Sequence, residues 1–250
     1  MEIVFKKSED KEKKKSSYVK KAFWSLIVII VVKAIWPNFI PLNILHFWET
    51  KKSLYEWFTS AGWFFIWGIF LFIVIYLVKA SQISYMDLRE TSPKKILKAG
   101  VVISMRAGVI EEICFRWLIF LAGIVTIRIS NWILGGFMGS EYGLPKWFYM
   151  HIIGPLANFM TAGYVHDIIF HPNGWFIGAA LISANSLFRD GHSYQGIIGW
   201  IDSWFFGMLM FFILFKYGLI ACIILHFSFD MMLFILVAIT TIIHKKSYGI

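Results

Sequence analysis

The chain has 250 residues, of which 58% are hydrophobic and 19% aromatic, and long stretches carry almost no charge. This composition lies outside the range of soluble globular domains and predicts a polytopic membrane protein. The formal net charge of +9 does not indicate nucleic-acid binding, because the lysines gather at the ends of apolar runs, as membrane orientation requires.

The N-terminal part of the chain predicts a cytoplasmic tail followed by two spans. The first 21 residues carry eight lysines against four acids, which is typical of a solvated cytoplasmic tail. The apolar run from Ala22 to about Trp36 lacks a small-residue cleavage site, so we expect a retained first helix rather than a signal peptide. Residues 57–78 match the roughly 20 residues that a transmembrane helix needs. The basic loop at 79–98 should then be cytoplasmic, which closes an N-terminal membrane region at residues 22–98.

The remaining apolar runs leave the number of spans open. They cover residues 99–127, 147–170, 175–188, 196–215 and 218–243, followed by a short basic tail at 244–250. Seven full spans would place that tail outside the cell, which the positive-inside rule opposes. Either residues 175–188 are re-entrant, giving six spans, or residues 129–138 add one, giving eight. The sequence therefore predicts an all-α, polytopic transmembrane helical bundle of six to eight spans in the plasma membrane.

The third run contains a charged segment, EEICFRW, at residues 111–117. Each charge near the bilayer centre costs roughly 2.5–3.5 kcal/mol on insertion scales, so these groups must be paired or hydrated. Glu112 and Arg116 are four residues apart and can form an ion pair on a helix, whereas Glu111 points about 100° away from Glu112. A buried ion pair that fixes helix packing is one interpretation, and a functional acid at Glu111 is the other.

Two further polar groups accompany later apolar runs. His192 follows the short run in SLFRDGHSYQG, and His226 and Asp230 lie four apart within the last run, in IILHFSFDMM. Taken singly, these are typical of a loop histidine and a structural hydrogen-bonded pair. Together with Glu111 they supply the parts of a site that activates water and stabilises an oxyanion.

These residues form three motifs in a recognisable order. EEICFR fits Glu-Glu-x-x-x-Arg, FRDGH fits Phe-x-x-x-His, and HFSFD fits His-x-x-x-Asn or Asp. Over residues 99–243 the chain resembles the CPBP family of intramembrane endopeptidases. That family includes the type II CAAX prenyl proteases and bacterial relatives linked to bacteriocin processing or self-immunity.

The resemblance implies a catalytic role for each motif residue. Glu111 would be the general base, and His192 would help it to hold the attacking water. His226 and Asp230 would stabilise the tetrahedral oxyanion, while Arg116 would position the acidic pair. It also implies that no cofactor is needed and that the substrate is a membrane-associated peptide or prenylated protein.

The chain departs from the family pattern in two places. The 80 residues between Glu111 and His192 suggest an insertion near residues 131–178, and Asp230 stands where asparagine is commoner in the family. The first departure affects the number of helices, and the second affects the oxyanion role.

Several alternatives stay open at this point. Glu111, His192 and His226 could instead ligate zinc, and Cys114 could be a nucleophile, although both it and Cys222 fit packing roles better. A second group could bind an ion; it comprises His151, His166, Asp167 and His171. A non-proteolytic membrane protein, either an immunity or binding protein or a transporter, could also use the same polar cavity.

Overall fold

The computed structural model of the chain describes residues 20–79, 92–138 and 143–247. These residues are predominantly helical and include no β-strand, which confirms the predicted all-α class. Residues 1–19 of the predicted tail, 80–91 of the predicted cytoplasmic loop and 248–250 of the C-terminal tail lie outside the described residues.

In chain order the helices are α1 (residues 20–35), α2 (Leu54–Lys79), α3 (Pro93–Glu111), α4 (Phe120–Met138), α5 (Leu144–Phe148), α6 (Gly154–Met160), α7 (His166–Ile169), α8 (Trp175–Gly191), α9 (Gly196–Tyr217) and α10 (Leu219–Ser247). Two π-helical segments, Glu112–Ile119 and Tyr149–Ile153, and two short 3₁₀ turns, Leu45–Trp48 and Ser193–Gln195, complete the order.

Four helical stretches among the described residues are long and apolar enough to cross a membrane. They are Leu54–Leu77, Pro93–Gly135, Ser193–Tyr217 and Leu219–Ser247. Exposed apolar side chains such as Ile66 and Phe70 in α2 suit lipid rather than water. The class of membrane protein is therefore supported, whereas four candidate stretches do not support the predicted count of six to eight spans.

The apolar run at residues 147–170 is not one helix. It is divided among α5, the second π-helical segment, α6 and α7, and the helix is interrupted at Ala162 and Gly163, which have φ values of 49° and 78°. The Tyr149 hydroxyl donates a hydrogen bond to the Ile169 carbonyl at 2.8 Å, and burial raises the pKa of Tyr149, so the phenol keeps its proton. Residues 129–138, considered as an additional span, simply continue α4.

The chain divides into two compact units. Unit 1 contains Met1–Thr50 and Glu112–Leu219, and unit 2 contains Lys51–Glu111 and Ile220–Ile250. The boundary between them falls inside the charged motif, between Glu111 and Glu112.

Unit 1 is built on α4, α8 and α9, which pack against one another. Gly123 allows α4 to approach α8, since a Cβ there would lie 3.3 Å from the Ala180 Cβ. Between α8 and α9, the buried Asn185 amide donates to the Trp204 carbonyl at 3.0 Å. A Cβ at Gly207 would lie only 1.8 Å from Asn185 Oδ1, so the absence of a side chain at Gly207 creates the space for this amide.

The segment between α1 and α2 closes one end of unit 1. The Trp117 indole donates to the Ile44 carbonyl at 3.1 Å, and the Phe47 ring packs edge-on against Phe120 and Phe215. At the other side of this segment the Lys33 ammonium donates to the Pro37 carbonyl at 2.8 Å. The Lys33 ammonium near the end of the predicted first helix is therefore hydrogen-bonded to the turn that follows the helix.

Unit 2 contains α2 and α3 packed on α10 through glycines. A Cβ at Gly68 would overlap the Phe229 ring at 2.6 Å, and one at Gly100 would overlap Phe234 at 2.7 Å. At Gly108 the contact is with the α10 backbone itself, since a Cβ there would lie 3.0 Å from the Ile223 carbonyl oxygen. Small residues at these crossings let helix backbones come close, the usual basis of packing in membranes.

We predict that Gly218→Ala destabilises the protein. Gly218 joins α9 to α10 with φ 96° and ψ 173°, a conformation available almost only to glycine, so alanine should cost about 1–3 kcal/mol in backbone strain alone. A Cβ there would also lie 2.3 Å from the Glu49 carbonyl oxygen. Denaturant unfolding in detergent measures the loss.

The matched control for this prediction is Gly62→Ala in α2. A Cβ at Gly62 would have nothing within 4 Å, and alanine in a helix interior is favoured over glycine by up to about 1 kcal/mol. We therefore expect this variant to be as stable as the natural protein or slightly more so. Equal behaviour of the two variants would contradict the constraint at Gly218.

Candidate functional site

The first motif contains a buried ion pair in unit 1. Arg116 Nε lies 3.3 Å from Glu112 Oε2, and neither side chain has any exposed surface. The pair predicted from the four-residue spacing is therefore confirmed. The segment that holds it is π-helical rather than α-helical. A π turn holds more residues than an α turn, so residues four apart lie closer to one line along the axis.

Arg116 connects the first motif to the second. Its guanidinium carbon lies 3.9 Å from the centre of the Phe188 ring and 5.8 Å from that of Phe211. The Phe188 ring also meets Phe115 edge-on, with 5.4 Å between ring centres. A cation held between a carboxylate and ring faces is stabilised without water, and desolvation strengthens both attractions.

His192 lies at the C-terminal end of α8, as expected for a histidine that follows the short apolar run. Its Nδ1 is 2.8 Å from the Phe188 carbonyl oxygen, and its ring stacks near Phe188 with 4.5 Å between centres. A carbonyl can only accept, so Nδ1 carries the proton in this hydrogen bond. In the neutral imidazole, Nε2 is then the acceptor nitrogen, which suits a group that holds a water molecule.

The third motif lies on α10 in unit 2. His226 Nε2 and Asp230 Oδ2 are 3.7 Å apart, with side-chain exposures of 5% and 26%. This distance allows electrostatic attraction but exceeds that of a normal hydrogen bond between these two atoms. The prediction that both residues share one face of the last helix is confirmed.

In unit 2, α3 crosses α10, the helix that carries the third motif. At that crossing Gly108 lies against Ile223 O and Phe227 N, at Cβ distances of 3.0 and 3.3 Å. Glu111 follows Gly108 by less than one helical turn, and His226 precedes Phe227 by one residue. Glu111 is half-buried, in contrast to the fully enclosed Glu112.

The structure thus gathers the predicted residues into two sets. Unit 1 holds Glu112, Arg116 and His192, and unit 2 holds Glu111, His226 and Asp230. The chain itself joins the sets, because Glu111 and Glu112 are consecutive. The catalytic roles of all six residues stay predictions.

Sequence reasoning did not single out two rings beside Arg116, those of Phe188 and Phe211, or the buried Asn185 on the same helix as Phe188. Phe188 belongs to the second motif and could have been chosen on that ground. Asn185 precedes Phe188 by three residues on α8. It could have been found from the sequence because a polar residue within an apolar helix is unusual. Phe211 carried no sequence signal, because α9 is rich in phenylalanine along its length.

The alternatives for metal and cysteine chemistry gain no support. The residues that the structure describes include no group of three or more His, Cys, Asp or Glu side chains arranged to hold a metal ion. The three zinc ligands considered from sequence are divided between the units. The same finding applies to the second histidine group, in which partial burial lowers the pKa of His171. Cys114 and Cys222 are both buried, which fits packing.

Comparison with known proteins gives no relative. No family model, no curated protein and no solved structure matches the chain.

We predict that the Glu112–Arg116 pair is strongly coupled in stability. Arg116→Met should cost about 3–5 kcal/mol, because it leaves a buried carboxylate without its cation. Glu112→Leu should cost a similar amount for the opposite reason. The double variant should be more stable than either single one, and a double-mutant cycle of unfolding free energies in detergent measures the coupling.

The control is the exposed Lys52–Glu56 pair, which has the same four-residue spacing and a 3.6 Å separation. Lys52→Met should leave stability almost unchanged, since solvent screens such pairs. Additive losses at Glu112 and Arg116 would show that the buried charges do not depend on each other.

Proposed function

We propose that the protein is an intramembrane endopeptidase of the CPBP type. It hydrolyses a peptide bond of a membrane-associated substrate, either prenylated or simply apolar, with water activated by Glu111. The substrate approaches within the membrane, which suits the long apolar helices and their lipid-facing side chains.

One observation carries this proposal: the charged first motif contains a fully buried ion pair, and its arginine lies over the phenylalanine ring of the second motif. Within unit 1, Arg116 lies over the ring of Phe188, four residues before His192. Within unit 2, Gly108, three residues before Glu111, packs against the backbone of α10, the helix that carries His226. Intramembrane ionisable residues are functional by default, and three such groups in the family's order support proteolysis over simple packing.

The proposed reaction follows from the groups present. Glu111 accepts a proton from water, and the resulting hydroxide attacks the peptide carbonyl carbon. His226 and Asp230 stabilise the oxyanion. Glu111 then returns the proton to the leaving nitrogen as the carbon–nitrogen bond breaks. The buried Glu112–Arg116 pair fixes the helix that carries Glu111.

The proposal includes the placement of the protein. The basic N-terminal tail and the basic loop at 79–98 favour a cytoplasmic N-terminus in the plasma membrane. We also propose that α1 and α8 enter the bilayer, which would bring the count of membrane segments to six. α8 has 17 residues, a length of about 25 Å that falls slightly short of the hydrocarbon thickness.

We predict that Glu111→Ala abolishes cleavage while the protein still inserts and folds. Loss of a general base should lower the rate roughly 10²- to 10⁴-fold. Cleavage is measured in detergent on farnesylated and unmodified apolar peptides, using whichever the natural protein cuts. The control is Glu49→Ala, which removes a 62% exposed carboxylate outside the three motifs and should retain full activity.

Three outcomes would count against the proposal. Full activity in Glu111→Ala would remove the catalytic assignment. Loss of activity on chelation, restored by zinc, would replace it with a metalloenzyme. Failure of the natural protein to cleave any peptide, with retained binding, would favour the non-proteolytic alternative.

We predict a different pattern at Asp230, where asparagine is the family's commoner residue. In this proposal a neutral Asp230 donates to the oxyanion, because a neutral carboxyl has nearly the same shape as the asparagine amide. Asp230→Asn should therefore keep most activity. Asp230→Ala should lose about 10²- to 10³-fold in rate, the usual cost of one oxyanion donor.

The pH profile provides the check on this prediction. Any loss of activity at high pH that arises from ionisation of Asp230 should disappear in Asp230→Asn. If the asparagine variant is as inactive as the alanine variant, the negative charge itself is required, and Asp230 serves to orient His226.

A further inference from the structure

A large cavity lies within unit 1. It is a groove of about 790 Å³ between α1 on one side and the end of the first π-helical segment, α4 and α8 on the other. This volume lies within the range of small-molecule sites, about 300–1,000 Å³. None of the six motif residues lines it.

The groove has a cationic end and an apolar length. Along α1 its wall begins with Lys20 and Lys21 and continues through Trp24 and Val28. From Lys20 to Val28 the helix rises by about 12 Å. The opposite wall carries small or short side chains, including Gly123 and Ser183, which leave the space open.

The side of α1 that packs on the rest of unit 1 adjoins the side that borders the groove, and Ser25 belongs to both. Ala22, Ser25 and Ile29 are buried at 4%, 9% and 5% exposure, which fixes α1 against the unit. Trp24 is 64% exposed and contributes a large ring at the open side. An amphipathic indole beside lysines is typical of the membrane–water interface.

The charge and shape of the groove together define its ligand. Two adjacent ammonium groups attract a phosphate as point charges, and lysines directly cytoplasmic of a membrane helix favour anionic lipid. The apolar length beyond them fits a hydrocarbon chain rather than a second polar group. A free phosphate would use the lysines alone and leave the apolar wall in contact with water.

We infer that this groove binds an anionic phospholipid, with the headgroup phosphate at Lys20 and Lys21 and one acyl chain along α4 and α8. The bound lipid holds α1 in place on unit 1. This inference does not depend on the proposed peptidase activity, and its readout is binding rather than cleavage.

The test uses the full chain in lipid nanodiscs that contain a trace of photoactivatable phosphatidylglycerol with the reactive group in its acyl chain. A phosphatidylcholine analogue with the same acyl chain is the neutral comparison. After illumination, labelled peptides are mapped by mass spectrometry. We expect phosphatidylglycerol to label α1, α4 and α8 at the groove well above phosphatidylcholine, and excess inorganic phosphate to leave that labelling intact.

Two sets of variants separate the headgroup from the chain. Lys20→Ser with Lys21→Ser should lower groove labelling by phosphatidylglycerol roughly 10- to 30-fold, at about a fivefold effect for each lysine. The matched control is Lys245→Ser with Lys246→Ser, another adjacent pair, at the end of α10, which should not change labelling of the groove.

Thr126→Phe fills the groove without disturbing contacts between helices. The Thr126 side chain is exposed, and its hydroxyl donates only within α4, to the Ala122 carbonyl at 3.0 Å. This variant should unfold at the natural temperature and lose groove labelling by both lipids. Equal labelling by the two lipids in the natural protein, displacement by inorganic phosphate, or unchanged labelling in either variant would overturn the inference.

Discussion

Enclosing opposite charges in an apolar interior is the constraint on which the rest of unit 1 depends. Glu112 and Arg116 have no exposed surface, so each charge must be balanced by protein groups. The carboxylate supplies one counter-charge, and the face of Phe188 at 3.9 Å supplies a second attraction. An ion pair of this kind seldom stabilises a fold more than apolar residues would, but loss of one member is severe. Its value lies in fixing where a segment sits, which is what a precise site requires.

The close approach of helices follows from the same need to exclude lipid and water from polar groups. Gly207 provides the space in which Asn185 reaches the Trp204 carbonyl, one turn of α8 before Phe188. In unit 2, Gly108 brings α3 against the α10 backbone one turn before Glu111. In each unit a glycine therefore packs against a helix that carries part of a motif. Backbone contact at such positions fixes neighbouring side chains more firmly than contact through long, flexible ones.

Hydropathy and spacing predicted much of this arrangement, because both depend on local sequence. The long apolar runs became α2, α9 and α10 with ends displaced by a few residues, and the four-residue spacings gave the Glu112–Arg116 and His226–Asp230 pairs. The run at 147–170 was wrongly expected to be continuous, since its average hydropathy conceals the interruption at Ala162 and Gly163. The π-helical form of the first motif and the position of Arg116 over Phe188 arise from tertiary packing. No local pattern in the sequence carries that information.

The two glutamates of the first motif illustrate how one short segment can serve both structure and chemistry. Glu112 is fully buried and forms an ion pair with the Arg116 guanidinium. Its carboxylate therefore has a structural role in this segment. Glu111, the adjacent residue, is half-buried at the last position of α3. Consecutive residues on a helix must point in different directions, about 100° apart in an α-helix. A pair of acids with different surroundings is the arrangement that lets one stay ionised for structure while the other exchanges a proton. The doubled glutamate therefore makes physical sense only if its two members do different work.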